Sequence, residues 1–427
     1  MTKMPRCIRL IVVTLVAAAL LAGMVLAAEQ PVLKKGDRLA VIGDSITEQK
    51  VYSRYMEDYV TMCTPDLGVW CVQLGWGGET APGFLGRMNS DLLPLRPTVA
   101  TTCYGMNDGG YRAYEDGIGN RYIGAMKQIV ENLKKTGATV VIGSPGCVDS
   151  NTFRNDPQAA TIYNQNLGKL GDLDRQLAKD AGMPFADLHN LMADVMKRAK
   201  AAYGPQFHVC GPDGVHPAAD GQLVMAYTFL TVLVPGGEIG TSTVDMAGDA
   251  AASDGHKVLS ARGGTVEIES RRYPFCFYGD AKPPDSARSI LPYLPFNEDL
   301  NRLTLIVKNL KGDKAKVMWG AASKTFTREQ LAKGVNLAAE FLDNPFSEPF
   351  RKVDDAIAKK QAYETFLIKE AGRAMANVQR NLGDDADVAA AVKTIKGKLG
   401  GKHDALAAAV HAAFVPVKHT IVVAEEK

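Results

Sequence analysis

The sequence LAVIGDSI, residues 39–46, joins a short apolar run to a glycine and a serine that follow it directly. An apolar run of this length that ends in glycine is typical of a β-strand buried on both faces. Further runs of this kind occur at residues 69–74, 99–104, 140–143 and 183–188. Helical patterns separate them, as in residues 120–135, where apolar side chains recur with the helical period. This alternation predicts an α/β fold in which helices cover both faces of a parallel sheet.

Segments rich in polar residues and glycine follow the predicted strands. Ser45 lies in GDSI after the first strand, GWGGET (residues 75–80) follows the second, and Asn107 lies in GMND after the third. Asp213 and His216 lie in DGVH, directly before a predicted helix. Because the carboxyl ends of parallel strands meet at one edge of the sheet, where ligands bind, we expect these segments to lie close together.

The residue types in these segments suit nucleophilic catalysis. A serine hydroxyl is a weak nucleophile and needs an adjacent base, which His216 would provide. The three-residue spacing lets the carboxylate of Asp213 orient the imidazole. Taken one at a time, the segments also fit a helix N-cap, two ordinary turns and a surface histidine. Their occurrence together, in this order, favours catalysis.

With these segments the sequence resembles the SGNH hydrolase family, also called the GDSL esterases. The family has four blocks, which match here at Ser45 in GDSI, Gly78 in the glycine segment, Asn107 in GMND, and Asp213 with His216 in DGVH. The resemblance implies a flavodoxin-like three-layer α/β/α fold and serine esterase activity through an acyl-enzyme, without a cofactor. It also implies an oxyanion hole made by the N–H groups of Ser45 and Gly78 and by the amide of Asn107.

The family resemblance also suggests the kind of substrate. A short acyl group such as acetyl on a carbohydrate is the favoured ester, while lipid and thioester substrates and acyl transfer to a sugar stay open. Asp44, Trp76 and Tyr104 lie in or beside the matching blocks and are candidate substrate contacts.

The chain divides into four predicted regions. Residues 1–28 resemble a signal peptide, and the hydrolase-like pattern occupies residues 29–235. Residues 236–345 suggest a smaller β-rich module, and residues 346–427 a helical C-terminal region with a final strand-like tail. Within the module we predict strands at 265–270, 303–307 and 316–319, with a hairpin turn at 309–313.

The first 28 residues decide the expected location and charge. They have a basic start, an apolar run and small residues at the end, which favours a cleaved signal peptide over a retained anchor. A secreted or periplasmic protein without a stable membrane span follows. This segment holds three of the 49 basic residues and none of the 47 acidic ones, so the remainder has a net charge of −1. A near-neutral chain offers no bulk attraction to nucleic acid.

Two other functions remain open at this point. His208, Cys210, Asp213 and His216 are all ligand-type residues, and together they suit a metal-binding protein. A non-catalytic carbohydrate-binding protein on a hydrolase fold is the second possibility, with Trp76 and Tyr104 stacking on sugar rings. Cys147 and Cys210 should approach the same sheet edge, and we hypothesise a disulfide between them, with two free thiols as the alternative.

Overall fold

The computed structural model describes residues 31–279 and 285–426, and its first sheet consists of five parallel strands. The strands are β1 (Arg38–Gly43), β2 (Trp70–Gln73), β3 (Val99–Cys103), β4 (Thr139–Gly143) and β5 (Phe185–Ala186). Their order is β2-β1-β3-β4-β5, with every neighbouring pair parallel. The order is that of flavodoxin-like sheets, so the predicted α/β fold is confirmed. The direction in which successive strands are added reverses between β1 and β3, and sheets of this kind bind ligands at that point.

Helices bury both faces of this sheet. They are α1 (Ser45–Glu48), α2 (Tyr52–Asp58), α3 (Ala81–Asp91), α4 (Asp116–Lys135), α5 (Pro157–Ala181), α6 (Leu188–Tyr203) and α7 (Ala219–Leu233). Along β1, Leu39 and Val41 join one apolar core, while Ala40 and Ile42 join a second core on the opposite face. From residue 39 to residue 43 the strand is therefore apolar at every position, because neither face reaches water.

Local sequence signals fix the ends of the helices, and α5 is an example. The carboxylate of Asp156 accepts hydrogen bonds from the N–H groups of Gln158 and Ala159, at 2.9 and 3.2 Å. Pro157 takes the first helical position, where its missing N–H costs nothing. The helix is thus started by two adjacent residues that favour helix N-termini.

The β-rich part forms two further sheets. Its strands are β6 (Glu238–Asp245), β7 (Ala250–Ala252), β8 (His256–Arg262), β9 (Thr265–Ser270), β10 (Arg302–Lys308), β11 (Lys314–Trp319), β12 (Ala322–Thr327), β13 (Val335–Asn336) and β14 (Val417–Glu426). The two sheets have the orders β13-β10-β6-β7 and β12-β11-β14-β9-β8. The expected strand-like tail is β14, which lies at the centre of the second sheet.

The predicted hairpin at residues 309–313 is wrong. β10 pairs with β6 and β13, whereas β11 pairs with β12 and β14 in the other sheet. Asn309 has a left-handed conformation, and its side-chain amide donates to both carboxylate oxygens of Asp245 at 2.8 and 2.9 Å. The chain does turn here, but this contact joins the turn to the end of β6. Turn residues determine where the chain changes direction, whereas contacts elsewhere in the fold determine which strands pair.

Helices make up most of the remaining chain. They are α8 (Ala287–Ile290), α9 (Phe296–Asp299), α10 (Arg328–Lys333), α11 (Leu337–Glu340), α12 (Ser347–Phe366), α13 (Arg373–Leu382) and α14 (Ala386–Ala413). A π-helical segment, Leu367–Gly372, joins α12 to α13. The predicted helical C-terminal region contains α12, α13 and α14.

A buried ionic cluster attaches α12 to the first sheet. Lys360 contacts the carboxylates of Glu57 at 3.0 Å and Glu364 at 2.5 Å, and it donates to the Cys71 carbonyl at 3.0 Å. Glu364 in turn accepts from the N–H of Gln73 in β2 at 3.0 Å. The residues from Val32 onward cluster as one compact unit, and these contacts cross the proposed limits at 235 and 345. The four-region division stays a prediction.

Two histidines are linked through a serine inside the β-rich part. The Trp319 indole donates to Nδ1 of His419 at 3.1 Å, so the His419 proton lies on Nε2 and faces Ser270 Oγ at 2.9 Å. The Ser270 hydroxyl then donates to Nδ1 of His256 at 2.7 Å, and His256 Nε2 donates to the Ile239 carbonyl at 3.0 Å. Both imidazoles are therefore neutral in the folded protein.

This arrangement predicts a loss of stability in acid. Burial, together with the nearby His256, lowers the pKa of His419 from its usual 6.5 to about 4. As the pH falls below 6.5, the unfolded chain takes up this proton first, so the contribution is complete above that pH and is lost towards pH 4. We expect the free energy of unfolding to lose on the order of 3 kcal/mol from His419.

His419→Gln provides the test, since glutamine keeps an amide donor for Ser270 but does not titrate. Burial also raises the pKa values of Asp44 and Asp220 to about 7, which acts in the opposite direction, but equally in both proteins. Urea unfolding between pH 4 and pH 7 should therefore give a flatter or reversed pH dependence for the variant. If the free energy of unfolding depended on pH in the same way in the wild type and in His419→Gln, the contribution assigned to His419 would be wrong.

No helix within residues 31–279 and 285–426 is both long and apolar enough to cross a membrane. The proposed signal peptide, residues 1–28, lies outside the described residues.

Candidate active site

Ser45 stands at the first position of α1, immediately beyond the carboxyl end of β1. The preceding residue, Asp44, caps this helix by accepting a hydrogen bond from the N–H of Ile46 at 3.0 Å. The N–H of a residue at the first helical position has no partner within the helix and is available to a ligand. The strand-to-helix junction thus presents both the hydroxyl and the N–H of Ser45 at the edge of the sheet.

The hydroxyl of Ser45 meets the imidazole of His216. Ser45 Oγ lies 2.8 Å from His216 Nε2, and His216 Nδ1 lies 2.7 Å from Asp213 Oδ2. A carboxylate can only accept, so Nδ1 carries the proton and Nε2 presents its lone pair to the serine. The sequence-predicted serine, histidine and aspartate are brought together in one hydrogen-bonded chain.

The Asp213 carboxylate is held as an anion by the segment that follows it. Although partial burial opposes ionisation, hydrogen bonds from the His216 N–H, the His216 ring and the Val215 N–H lower the pKa of Asp213. Both backbone N–H groups contact Oδ1 at 2.9 Å, which leaves Oδ2 for the ring. A fixed anion at this position favours the protonated form of the imidazole during proton transfer.

Two glycines give this segment its tight shape. Gly211 and Gly214 have φ angles of +79° and +78°. A Cβ on Gly214 would lie 2.3 Å from the backbone nitrogen of Phe153, and one on Gly211 would lie 1.9 Å from the His216 carbonyl oxygen. Residues with side chains are excluded at both positions, so the glycines allow Asp213 and His216 to turn towards Ser45.

The glycine segment, residues 75–80, lies beside Ser45. The Trp76 N–H donates to the Gly43 carbonyl at 3.1 Å, and the Gly77 N–H donates to the Glu48 carboxylate at 2.5 Å. In the described part of the chain, the Gly78 N–H has no protein acceptor within hydrogen-bond distance. Of the two neighbouring glycines, Gly78 is therefore the one whose N–H is available to a ligand.

Asn107 is oriented by two contacts. Its Nδ2 donates to the Glu79 carbonyl at 3.0 Å, and its Oδ1 accepts from the Tyr111 hydroxyl at 3.0 Å. Because the Glu79 carbonyl can only accept, the atom facing it must be nitrogen. One N–H of the amide is thus bound next to Gly78, and the second N–H is left for a ligand.

Tyr111 is a residue that sequence reasoning missed. It has a φ of +55°, a strained value for a tyrosine, and its ring stacks on Tyr163 and Phe153 at centroid distances of 5.1 and 6.4 Å. Phe153 also packs against Gly214 in the segment that carries His216. The stack therefore connects the Asn107 and His216 segments. In the sequence, Tyr111 lies four residues after Asn107 in GMNDGGY, but nothing in that pattern indicates that its hydroxyl would hold the amide.

The structure corrects two of the three predicted substrate contacts. Asp44 is only 2% exposed, because its carboxylate caps α1. Tyr104 is 1% exposed, its hydroxyl donates to Glu79 Oε2 at 2.8 Å, and its ring stacks on Phe84. Neither side chain faces the cleft, so the expectation that they contact substrate is wrong.

Trp76, the third predicted contact, is partly exposed but its ring is flanked by cations. The guanidinium carbons of Arg373 and Arg87 lie 4.3 and 4.9 Å from the ring centroid, and Lys369 Nζ lies 5.2 Å away. Stacking of a sugar on this ring is therefore not favoured. Arg373 and Lys369 come from the C-terminal part of the chain, far from Trp76 in the sequence, so the pattern around Trp76 gave no indication of them.

The alternative metal site does not form. Among the described residues, no group of three or more histidine, cysteine or acidic side chains is placed to hold a metal ion. Of the four candidates, His216 and Asp213 face Ser45, His208 Nδ1 lies 3.7 Å from Asp285, and Cys210 Sγ lies 3.4 Å from Cys147 Sγ. The two cysteines approach each other as expected, but the hypothesised disulfide is wrong. At this separation they are two free thiols, because a disulfide bond is about 2.05 Å long.

Comparison with known proteins identifies a matching family and similar chains. Residues 41–224, from β1 to α7, match the model of the GDSL-like lipase/acylhydrolase family. An acetylxylan esterase of Geobacillus stearothermophilus is 23% identical over 217 residues, which are 46% of this chain and 93% of that enzyme.

Among solved structures, a gut microbial diltiazem-metabolizing enzyme superposes with a TM-score of 0.74 at 21% identity, covering 94% of this chain and all of that one. The structural similarity to this enzyme therefore includes the C-terminal region as well as the first sheet. A crystal structure of the G. stearothermophilus acetylxylan esterase Axe2 matches with a TM-score of 0.40 at 20% identity, covering 48% of this chain and 96% of that one.

Proposed function

We propose that this chain, an ester hydrolase whose residues 41–224 match the GDSL-like lipase/acylhydrolase family, removes short acyl groups, above all acetyl, from esterified carbohydrates. Ser45 is the proposed nucleophile, His216 the general base and Asp213 the residue that orients the base. One observation carries the proposal: Ser45 Oγ, His216 and Asp213 form a hydrogen-bonded chain with distances of 2.8 and 2.7 Å.

The proposed reaction follows from this chain of hydrogen bonds. Ser45 Oγ attacks the ester carbonyl while His216 Nε2 takes the hydroxyl proton, and Asp213 stabilises the resulting imidazolium. His216 then gives the proton to the departing alcohol, which leaves an acyl group on Ser45. In the second half, His216 takes a proton from water, whose oxygen attacks the acyl carbon. His216 then returns this proton to Ser45 Oγ as the bond between Oγ and the acyl carbon breaks, which releases the acid and restores the free serine.

The proposed oxyanion hole comprises the N–H groups of Ser45 and Gly78 and the free N–H of the Asn107 amide. All three are neutral donors that the protein holds in place before the substrate arrives, so stabilising the oxyanion requires little rearrangement. The hydrogen bond from Asn107 to the Glu79 carbonyl keeps the amide next to Gly78 and supports this assignment.

Support for the carbohydrate substrate comes from the site and from one relative. The side chains of His216 and Asp213 are 35% and 53% exposed, an open arrangement that suits an ester on a large, hydrated carrier. The acetylxylan esterase is similar at 23% identity. The signal-like first 28 residues, with which we propose that the protein is secreted or periplasmic, are consistent with a carbohydrate outside the cell.

An ester panel tests the proposed substrate class. The full chain is assayed on p-nitrophenyl esters of increasing acyl length and on acetylated xylan, pectin and sialic acid, with Ser45→Ala as the matched control. We expect the acetyl ester to give the highest kcat/KM, and acetate to be released from at least one carbohydrate by the wild type alone. A preference for long acyl chains, with no acetate released from any carbohydrate, would contradict the proposal.

A further inference from the structure

A solvent-accessible groove of about 570 Å³ begins at the glycine segment. Its walls are residues 76–80, helix α3 and helix α13, with Lys396 of α14 at one side. We call it the Trp76 groove. Gly78, whose N–H is proposed to bind the oxyanion, is one of the residues that line it. A group attached to a substrate at Ser45 can extend into this groove.

The Trp76 groove carries uncompensated positive charge. Its two acidic side chains, Glu79 and Asp91, both bind Arg87, at 2.6 and 3.3 Å. The other three cations in the walls are exposed: Arg373, Arg380 and Lys396. In the described part of the chain, none of these three has a carboxylate within 4.0 Å. Arg380 and Lys396 contact only the neutral amides of Asn377 and Gln379, at 3.5 and 3.1 Å.

Trp76 fixes the position of one of these cations. The guanidinium of Arg373 packs on the indole ring, with its central carbon 4.3 Å from the centroid. A guanidinium held against an aromatic ring keeps its N–H edge free, and this edge is suited to the paired oxygens of a carboxylate or sulfate. Trp76 therefore acts as a support for Arg373.

The wall of the groove is also joined to the catalytic segment. Lys369, one helical turn before Arg373, binds Glu48 at 2.6 Å, and the same carboxylate accepts from the Gly77 N–H. Glu48 belongs to α1, the helix that begins with Ser45. The cations of α13 are thus held at a defined place relative to Ser45 and Gly78. This gives the C-terminal helices a role in the site.

We propose that the Trp76 groove binds an anionic substituent, a carboxylate or a sulfate, on the carrier of the ester. The inference rests on the proposed function and narrows it: the substrate is an acyl ester of an acidic glycan. Arginine and lysine side chains without acidic partners bind such oxyanions through charge-assisted hydrogen bonds. A neutral glycan would leave all three charges without a partner.

Calorimetric titration of the wild-type protein tests this inference. The ligands are trigalacturonic acid, a sulfated galactose trisaccharide and neutral xylotriose, at low and at high salt. We expect at least one acidic ligand to bind about tenfold more tightly than xylotriose, with an advantage that shrinks as salt is raised. Comparing the titrations with the carboxylate ligand and with the sulfate ligand identifies which anion the groove binds.

Variants locate the binding. Arg373→Gln/Lys396→Gln should weaken the acidic ligand about tenfold and leave xylotriose unchanged. The matched control, Lys127→Gln/Lys197→Gln, removes the same charge from exposed positions on α4 and α6 that do not line the groove. Equal affinities for acidic and neutral ligands, or equal losses in the two variants, would overturn the inference.

Parallel assays of wild type on p-nitrophenyl acetate separate the two proposals. Hydrolysis of this neutral ester without any preference for acidic ligands would overturn the proposal that the Trp76 groove binds an anion and would leave the esterase proposal intact. A preference for acidic ligands that depends on Arg373 and Lys396, without hydrolysis of any ester, would support the groove and contradict the esterase proposal.

Discussion

Ser45→Ala is expected to lower kcat for p-nitrophenyl acetate by on the order of 10⁵- to 10⁶-fold, with little change in KM. The variant lacks the proposed nucleophilic oxygen, so only slower attack by water would remain. Steady-state kinetics of purified protein measures the effect. Ser260→Ala, at an exposed position on β8, is the matched control and should keep full activity.

His216→Ala should cause a loss of similar size, because the proposed mechanism places the serine and the histidine in the same proton transfer. The double variant Ser45→Ala/His216→Ala should then be no slower than Ser45→Ala alone. If the factors by which the two single substitutions lower kcat multiply in the double variant, Ser45 and His216 do not act as one unit. More than a tenth of wild-type activity in Ser45→Ala would contradict the role of Ser45 as the nucleophile.

Asn107→Ala is expected to lower kcat by about 10²- to 10³-fold, the usual consequence of removing one oxyanion donor. Tyr111→Phe should lower kcat by about tenfold with KM nearly unchanged, because the amide of Asn107 loses the hydroxyl that holds its Oδ1 at 3.0 Å. The phenylalanine keeps the ring that stacks on Tyr163, so thermal stability should be close to that of the wild type.

A double-mutant cycle separates a positioning role for Tyr111 from a structural one. If the tyrosine acts through the amide, Tyr111→Phe should have no further effect on kcat in the Asn107→Ala background. Tyr203→Phe, on the exposed side of α6, is the control and should leave kcat unchanged. Independent, multiplying losses for Asn107→Ala and Tyr111→Phe would contradict the positioning role.

The sequence contains enough information to predict the first sheet and the segments at its edge. Residues 39–43 are apolar at every position because both faces of β1 are buried, and this is visible without coordinates. The rule that parallel strands end at one edge then brings Ser45, Gly78 and Asn107 together, although they are far apart in the chain. Their spatial proximity follows from topology.

Features that depend on contacts between distant segments were not predictable. The alternation in 303–307 and 316–319 identifies two strands, but β10 pairs in parallel with β6 and β11 pairs with the final strand β14. Burial of Asp44 and Tyr104 depends on a helix cap and on a bond to Glu79. The bond between Lys369 and Glu48 joins residues more than 300 positions apart. No local pattern reports such pairings.

Covalent labelling with a fluorophosphonate, followed by peptide mapping, tests the central claim most directly. The account predicts a single adduct on Ser45 of the wild-type protein, slower labelling of His216→Ala, and no adduct in Ser45→Ala. An unlabelled wild-type protein, or an adduct on any other serine, would contradict it and would favour a binding protein that has kept the fold of a hydrolase.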